Sequence, residues 1–290
     1  MKLIIKFNLV FFAIFLIGLA VAGYVSNSLL QKNARDETLQ NARIMMEAAL
    51  ATRSYTSTQI RPLLETQMKY QFLPQSVPAY AATEQFNDLK KKYPDYLYKE
   101  AALNPTNPQH RAADWEADVV NQFRGGAKEP EIVGERETPT GRSLYMARPI
   151  QIKAEPCLIC HTTPEMAPKT MIDLYGGANG FGWKLNEIIG AQIVSVPMTV
   201  PIQKANDTFK VFMLSLTGVF VFIFVALNVM LYTIVIRPVT QLSELADQVS
   251  LGKLDAPEFQ SKGKDEIATL AASFGRMRKS LVQAMKMLDQ

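Results

Sequence analysis

Two long apolar segments at opposite ends of the chain constrain its fold more than any other feature. No charged residue occurs between Phe7 and Gln31 or between Val211 and Ile236. As a helix, each segment is long enough to cross the roughly 30 Å hydrocarbon core of a bilayer. We therefore predict transmembrane helices over residues 7–30 and 211–236, which enclose a polar segment of about 180 residues.

The first apolar segment also has features of a cleavable secretion signal. Lys2 and Lys6 precede it, and Ala20-Val21-Ala22 resembles a signal-peptidase site. Cleavage there would leave a mature chain that begins near Gly23 and keeps one span. We favour an uncleaved anchor, because apolar helix-forming sequence continues through Leu29-Leu30. Both interpretations export the polar segment.

Basic residues beside the two apolar segments predict the orientation of the chain. Lys2 and Lys6 precede the first segment, and Arg237 follows the second, so the positive-inside rule places both ends of the chain in the cytoplasm. We therefore expect a bacterial inner-membrane protein whose polar segment, residues 31–205, lies in the periplasm. The net charge of +4 is spread along the chain without a broad basic cluster, which predicts no nucleic-acid partner.

The polar segment holds the two cysteines of the chain within the sequence Cys157-Leu158-Ile159-Cys160-His161. C-x-x-C-H is the motif of covalent haem attachment, in which two thiols bond to the haem vinyl groups and the histidine binds the iron. Two intervening residues allow both sulfurs to reach one porphyrin edge. We predict one haem c per chain, attached through Cys157 and Cys160, with His161 as the proximal iron ligand.

Two other interpretations of the cysteine pair were weighed against haem. A disulfide or thioredoxin-like C-x-x-C pair usually lies near a βαβ pattern, with its first cysteine opening a helix. Here Ala154-Glu155-Pro156 and Thr162-Thr163-Pro164 flank the motif and predict a loop. A zinc site would need a further ligand such as His110 or a carboxylate, and no second Cys/His pair supplies it. The haem interpretation is favoured over both.

The polar segment predicts an α+β fold. A helix is expected from Asn33 to about Gln67, because apolar residues recur at helical spacing and no glycine or proline interrupts them before Pro62. The stretch from Pro74 to Pro108 is rich in prolines and aromatic residues and ends in a turn-rich loop at Asn104–Pro108. The other predicted features, in chain order, are a helix from Asp114 to Phe123, strands over Glu131–Glu137 and Ser143–Ile152 around a turn at Thr138–Gly141, and a strand over Ile188–Pro197. A long helix followed by antiparallel strands that lead to the second span is a PAS-like plan.

The glycine-rich sequence from Tyr175 to Trp183 follows the cysteine motif. It lacks the G-x-G-x-x-G order and a following helix, so it does not predict a nucleotide loop. Glycines here predict either a tight turn or close approach of the backbone to a flat cofactor.

Several short motifs together make residues 40–197 resemble the periplasmic c-type-haem PAS-like sensor family, also called Tll-like haem domains. These motifs are Ala51-x-Arg53-x-Tyr55-Thr56 with Arg61-Pro62-Leu63-Leu64, Asn104-Pro105-Thr106-Asn107-Pro108 with Trp115-Glu116, Cys157-Leu158-Ile159-Cys160-His161, and Gly182-Trp183-Lys184 with Ile189-Gly190-Ala191-Gln192. The resemblance implies one haem in a PAS-like fold and a sensory role.

The resemblance also implies a distal iron ligand seven residues before Arg53, which is Met46 in this sequence. A methionine thioether is an ordinary axial partner of a c-type haem and raises its potential. Met45, Met68 and His110 follow as candidates, and a distal position that is empty or holds water stays open. A methionine on this helix is also compatible with core packing alone.

The end of the chain, residues 237–290, predicts a HAMP domain. Val239, Leu242, Ala246 and Val249 follow Pro238 at helical spacing, and a connector contains Gly252, Leu254 and Pro257. Asp265-Glu266 opens a second helix with an apolar heptad seam at Ile267, Leu270, Phe274, Met277, Leu281, Ala284 and Leu288. Pro238 and Glu266 match the signature positions of HAMP, a parallel four-helix bundle built by two chains. A plain dimeric coiled coil is the alternative, and both predict a homodimer.

These features together predict a membrane-bound haem-based sensor of redox state or of a small diatomic gas. A change in haem ligation would pass through the second span and HAMP to a separate cytoplasmic signalling protein, because no output domain precedes Gln290. The alternative is a membrane-anchored dimeric c-type cytochrome that exchanges electrons with a periplasmic redox partner. No acid/base constellation accompanies the motif, so we predict no enzymatic activity.

Overall fold

The computed structural model describes residues 3–126, 129–153, 155–253 and 264–288. The chain divides into two compact units. One unit comprises Asn27–Thr208, and the other comprises Met1–Ser26 with Phe209–Gln290. They are described in turn.

A long helical segment begins the chain. Helix α1 spans Leu3–Tyr55, a π-helical turn spans Thr56–Ile60, and helix α2 spans Arg61–Met68. Pro62 lies in the first turn of α2, where its missing N–H removes a helical hydrogen bond. The hydroxyls of Thr56 and Thr58 donate to carbonyl oxygens four residues earlier, which also loosens the helical ladder here. The predicted helix over 33–67 is confirmed, with a π turn within it.

Four antiparallel strands form one sheet in the order β1-β4-β3-β2. The strands are β1 (Leu97–Ala102), β2 (Ile132–Thr138), β3 (Gly141–Gln151) and β4 (Ile188–Pro197). The β2–β3 pairing closes at Thr138 and Gly141, and Gly141 takes the φ of +113° that this turn requires. The three strands predicted from the sequence correspond to β2, β3 and β4 and are confirmed, as is the α+β class.

Both faces of the sheet are buried. Successive residues of β4 point to opposite faces, and each set packs against a different group of helices. Val194 and Val196 face α1 and helix α3 (Pro78–Lys92), where they pack with Met46 and Leu144. Ala191 and Ile193 face helix α4 (Asp114–Arg124), which contributes Val119, Val120 and Phe123. Each large apolar side chain buried in these layers contributes about 1.5–3 kcal/mol. The sheet therefore forms the middle layer of the unit.

Helix α3 and strand β1 occupy the proline- and aromatic-rich region, for which no helix or strand was predicted. Pro78 lies in the first turn of α3, where a missing N–H is tolerated, and Ala82 and Phe86 pack into the core. The loop predicted around the cysteine motif is also wrong. A 3₁₀ turn spans Glu155–Cys157, and helix α5 spans Leu158–His161. Four residues are too few to show helical periodicity in the sequence. Helix α6 (Lys169–Tyr175) follows.

The second unit contains apolar helical segments and the end of the chain. Its elements are the first part of α1, most of α7 (Thr199–Met230), a π-helical turn (Leu231–Ile236), α8 (Arg237–Ser250) and α9 (Glu266–Leu288). Two continuous helical stretches, Ile4–Met68 and Thr199–Ser250, are long and apolar enough to cross a membrane. Phe15 and Phe220 pack against each other within this unit, with ring centroids 3.8 Å apart. The two helices predicted for the HAMP segment are present.

The heptad seam predicted on α9 is largely exposed in the single chain. Leu270 is 52% exposed, Met277 59% and Leu281 44%. An exposed apolar stripe of this kind needs partner helices to bury it. The predicted connector residues Leu254 and Pro257 lie outside the described residues.

Candidate functional site

The two cysteines lie on a short helical segment near the end of the long N-terminal helix. Cys157 is exposed and Cys160 is half-buried, and both are free thiols. Their spacing of three residues places both sulfurs on one face of the helical turn. Burial raises the pKa of the Cys160 thiol, and the charge of nearby Arg61 acts in the opposite direction. Both sulfurs are thus available on one side of α5.

His161 is oriented by a backbone carbonyl. Its Nδ1 lies 2.8 Å from the carbonyl oxygen of Gly180 and 3.3 Å from Thr106 Oγ1. Because a carbonyl oxygen can only accept, Nδ1 carries the proton and Nε2 keeps a free lone pair. Burial lowers the pKa of His161, which favours the neutral ring. This tautomer is the one that a metal-binding imidazole uses when its second nitrogen is fixed by an outer partner.

An aromatic ring fixes the plane of the imidazole. The rings of His161 and Trp183 are stacked, with centroids 3.9 Å apart and an interplanar angle of 15°. The backbone N–H of Trp183 donates to the His161 carbonyl at 3.2 Å, and that of Gly182 donates to Thr162 at 2.9 Å. The glycine-rich segment therefore runs beside α5 and holds it.

Gly180 is the point at which the glycine-rich segment contacts the loop after β1. Its φ is +85°, and a Cβ atom there would overlap Thr106. Its N–H donates to Asn104 Oδ1 at 3.1 Å, and Asn104 Nδ2 donates to the Phe181 carbonyl at 3.3 Å. The backbone at Gly180 thus comes close to Thr106, whereas the predicted approach to a flat cofactor stays a prediction. The sequence did not reveal that Asn104 and Thr106 position the histidine, although the flanking prolines marked the loop.

A buried polar network lies near the cysteines, between α1 and the sheet. Arg53 Nη1 contacts both carboxylate oxygens of Glu100 at 2.5 Å, and Tyr98 donates to Glu100 at 2.7 Å. Gln192 Nε2 donates to the Tyr98 hydroxyl at 3.2 Å. Burial acts to lower the pKa of Arg53, but the Glu100 carboxylate, together with Tyr98, outweighs it and the pKa is raised. Burial and Glu100 both raise the pKa of Tyr98. Cys157 also contributes to the raised pKa of Arg53, which places this network near the cysteine motif.

Met46, the first candidate for the distal ligand, is completely buried in the core between α1 and the sheet. It is seven residues from Arg53, so the two lie on one face of α1 about 10 Å apart along the axis. Met45 belongs to the same core cluster, whereas Met68 is half-buried at the end of α2. His110 ends a 3₁₀ turn over Pro108–His110. The core cluster around Met46, as far as the chain is described, does not include Cys157, Cys160 or His161. The assignment stays a prediction.

The zinc interpretation gains no support from the site. Among the described residues, no three His, Cys, Asp or Glu side chains come together as a metal-binding group. A structural zinc site requires four such ligands. The arrangement instead offers two thiols and one oriented imidazole.

The fold defines a class of protein in which an α+β domain lies between two helices that are long and apolar enough to cross a membrane, and two further helices follow the second of these. A family model of Tll0287-like proteins matches residues 31–197, which is more than half of the chain. The chain belongs to the Tll0287-like family. A HAMP domain model matches residues 230–283. The predicted resemblance and the predicted HAMP domain are confirmed.

One solved structure is similar to the chain. It is the crystal structure of the cyanobacterial heme-protein Tll0287, with 16% identity and a TM-score of 0.43. The alignment covers 56% of this chain and 95% of that one. A search of curated proteins found no match.

Proposed function

We propose that the chain is a membrane-bound sensor that carries one covalently attached haem c and responds to redox state or to a small diatomic gas. The main support is the environment of His161 within Cys157-Leu158-Ile159-Cys160-His161. The Gly180 carbonyl fixes its tautomer and Trp183 fixes its ring plane. A histidine that serves only as a polar loop residue does not need both restraints.

The residues of the site fit a c-type haem. Cys157 and Cys160 present two free thiols from one face of a helical turn. His161 offers Nε2 as the proximal ligand, and Met46 on α1 is our candidate for the distal one. A bound haem would supply an iron atom that exchanges electrons and binds small gases. The protein would supply its attachment, its axial ligands and the buried polar surroundings that tune it.

A change at this site has one covalent route toward the HAMP segment, through β4 and α7, and it can also move α1, the other helix long and apolar enough to cross a membrane. Helix α1 runs without a break from Leu3 to Tyr55 and carries both Met46 and Arg53. Strand β4 ends at Pro197, and α7 begins at Thr199. Release or capture of a ligand on α1 would shift that helix against the sheet that continues into α7. A bias of a few kcal/mol between two states is enough for such a relay.

We further propose that two chains pair through their HAMP domains. The haem domain would lie on the periplasmic side of the membrane. The exposed seam of Leu270, Met277 and Leu281 supports this pairing, since a second copy would bury it. A separate cytoplasmic signalling protein would then read the packing of α8 and α9. We do not propose an enzymatic activity for the chain.

The first experiment tests the haem. The full chain is produced in bacteria with the cytochrome c maturation system, and its mass and its ferric and ferrous spectra are recorded with and without CO or NO. The expected protein is coloured, gains the mass of one haem and shows gas-dependent spectra. Replacement of both Cys157 and Cys160 by Ser should abolish covalent colour. A colourless wild-type chain of unmodified mass would overturn the proposal.

The role of His161 as the proximal iron ligand is tested by removing its imidazole and, in a control variant, the imidazole of the other histidine. The chain has two histidines, so His161→Gly is compared with His110→Gln. Only His161→Gly should lose the ferric spectrum of wild type, and added imidazole should restore it. Equal changes in the two variants would refute the assignment of the proximal ligand.

The second experiment separates a sensor from an electron carrier. Met277→Cys is placed on the α9 seam in membranes, and disulfide formation between chains is measured with the haem oxidised, reduced or exposed to NO. If the chain is a sensor, the yield of this disulfide should differ between the oxidised, reduced and NO-exposed states of the haem. An unchanged yield, together with six-coordinate iron and fast electron exchange in both redox states, would favour the carrier instead.

A further inference from the structure

A cavity of about 340 Å³ lies on the sheet away from the cysteine motif. It is bounded by α3, β1, β4 and α4, and no described residue between 137 and 192 lines it. Its volume falls at the lower end of the roughly 300–1,000 Å³ range of small-molecule sites. Of the residues considered for the haem site, His110, which stands behind Met46 among the distal candidates, lines this cavity, and Cys157, Cys160, His161 and Met46 do not.

Two of the basic side chains that line the cavity have no acidic partner in the described part of the chain. The Arg136 guanidinium lies over the Trp115 ring at 4.3 Å, and it contacts no carboxylate within the described parts of the chain. Lys90, on α3, likewise forms no ion pair with any described residue. By contrast, Lys99 is paired with Glu116 at 2.6 Å. The lining therefore has two cationic groups free to bind an anion.

The rest of the lining is mainly aromatic and neutral polar. Trp115, Tyr96 and Phe86 supply flat apolar surface, and Ser195 supplies a hydroxyl. His110 also lines the cavity, and its Nδ1 atom is buried without a hydrogen-bond partner among the described residues. A ligand oxygen or a water would satisfy such an atom. Arg136 stacked on Trp115 is preorganised, since its planar guanidinium is already held.

We propose that this cavity binds a small organic carboxylate with an apolar body, as a second input separate from the haem. Arg136 and Lys90 would bind the carboxylate through charge-assisted hydrogen bonds. Trp115 and Phe86 would contact the apolar body of the ligand. The single paired anion in the lining, Glu116, is neutralised by Lys99 and does not oppose this charge preference.

Benzoate, propionate and the neutral isostere benzamide serve as probes in calorimetric titrations of the full chain in lipid nanodiscs. Benzoate should bind saturably, and benzamide should bind at least about tenfold more weakly because it lacks the charge. Arg136→Gln should weaken benzoate binding by about tenfold or more. Its control is Arg142→Gln, because Arg142 lies in the same hairpin but pairs with Glu135 at 2.8 Å.

A second pair of variants covers the case in which Arg136→Gln does not fold. Lys90→Gln should weaken benzoate binding several-fold, whereas Lys92→Gln, on the same helix but outside the cavity lining, should not. Partition of the probes into lipid is equal in all variants and cancels in the comparison. The proposal is overturned if wild type binds neither benzoate nor propionate, if benzamide binds as well as benzoate, or if each variant matches its control.

Discussion

The Nδ1 atom of His161 lies 2.8 Å from the carbonyl oxygen of Gly180, so a residue nineteen positions later in the chain sets the tautomer of the histidine. Gly180 is in turn fixed by Asn104, which accepts from its N–H. The orientation of one imidazole thus depends on the loop after β1 and on the glycine-rich segment together. The cysteine motif is only one of three segments that build the site.

Gly180→Ala should destabilise the domain and disturb the histidine. Alanine is strained at a φ of +85°, and its Cβ would overlap Thr106, so we expect a loss of about 2 kcal/mol or more. Thermal unfolding and the ferric spectrum measure the two effects. Gly177→Ala is the control, because Gly177 is exposed and an added Cβ makes only ordinary contacts. Equal behaviour of the two variants would contradict this role of Gly180.

Arg53→Gln should destabilise the domain by about 3 kcal/mol, because it leaves the buried carboxylate of Glu100 unpaired. The double variant Arg53→Gln with Glu100→Gln should recover part of that loss, since no buried charge remains. Chemical unfolding of the three proteins measures the coupling. Lys91→Gln breaks the exposed pair with Asp88 and should leave stability unchanged. A double variant no more stable than Arg53→Gln would argue against a buried ion pair.

The parts of the fold with a strong periodic signal could be predicted from the sequence. Strand β4 was expected at Ile188–Pro197 and is found there, because its apolar run is bounded by turn residues. Strand β1 was missed, since its sequence Leu-Tyr-Lys-Glu-Ala-Ala does not favour a strand. Its burial depends on pairing with β4 and on Arg53, which neutralises Glu100 from another element. Tertiary contacts of this kind leave no local signal.

The candidate site, like the fold, could be predicted only in part from the sequence. The spacing of Cys157, Cys160 and His161 could be interpreted directly, because the chemistry itself requires it. The partners that position His161 could not, because Thr106 and Gly180 are far apart in sequence. Trp183 was noted only as part of a family motif, and its stacking on the imidazole is a finding of the structure.

His110 is half-buried with a fully buried Nδ1 atom, and it should make stability depend on pH. Burial lowers its pKa in the folded state below the ordinary value of about 6.5. At a pH between the folded and the unfolded pKa of His110, the unfolded chain binds more protons than the folded chain. The contribution of the neutral ring to stability is therefore fully present above about pH 6.5 and is lost as the pH falls below that value. Thermal unfolding at pH 7.5 and pH 5.5 should therefore show a smaller shift in His110→Gln than in wild type. The same shift in both proteins would contradict a neutral, half-buried His110.

Met46→Leu tests the distal ligand with little disturbance of packing. Leucine is close to methionine in volume, so the loss of stability should be about 1.5 kcal/mol or less. If Met46 binds the iron, the variant loses a thioether ligand, and its reduction potential should fall because methionine ligation raises it. The ferric and ferrous spectra and a redox titration measure these changes.

Met146→Leu is the matched control for this test. Met146 is also completely buried and lies in the same core cluster as Met46, but on β3. Both substitutions remove one sulfur from the same apolar layer, so a general effect of the sulfur on the core would appear equally in the two variants. A fall in potential confined to Met46→Leu therefore requires a specific bond to that thioether. Unchanged spectra in Met46→Leu would eliminate Met46 and direct the same substitution to Met45 and Met68.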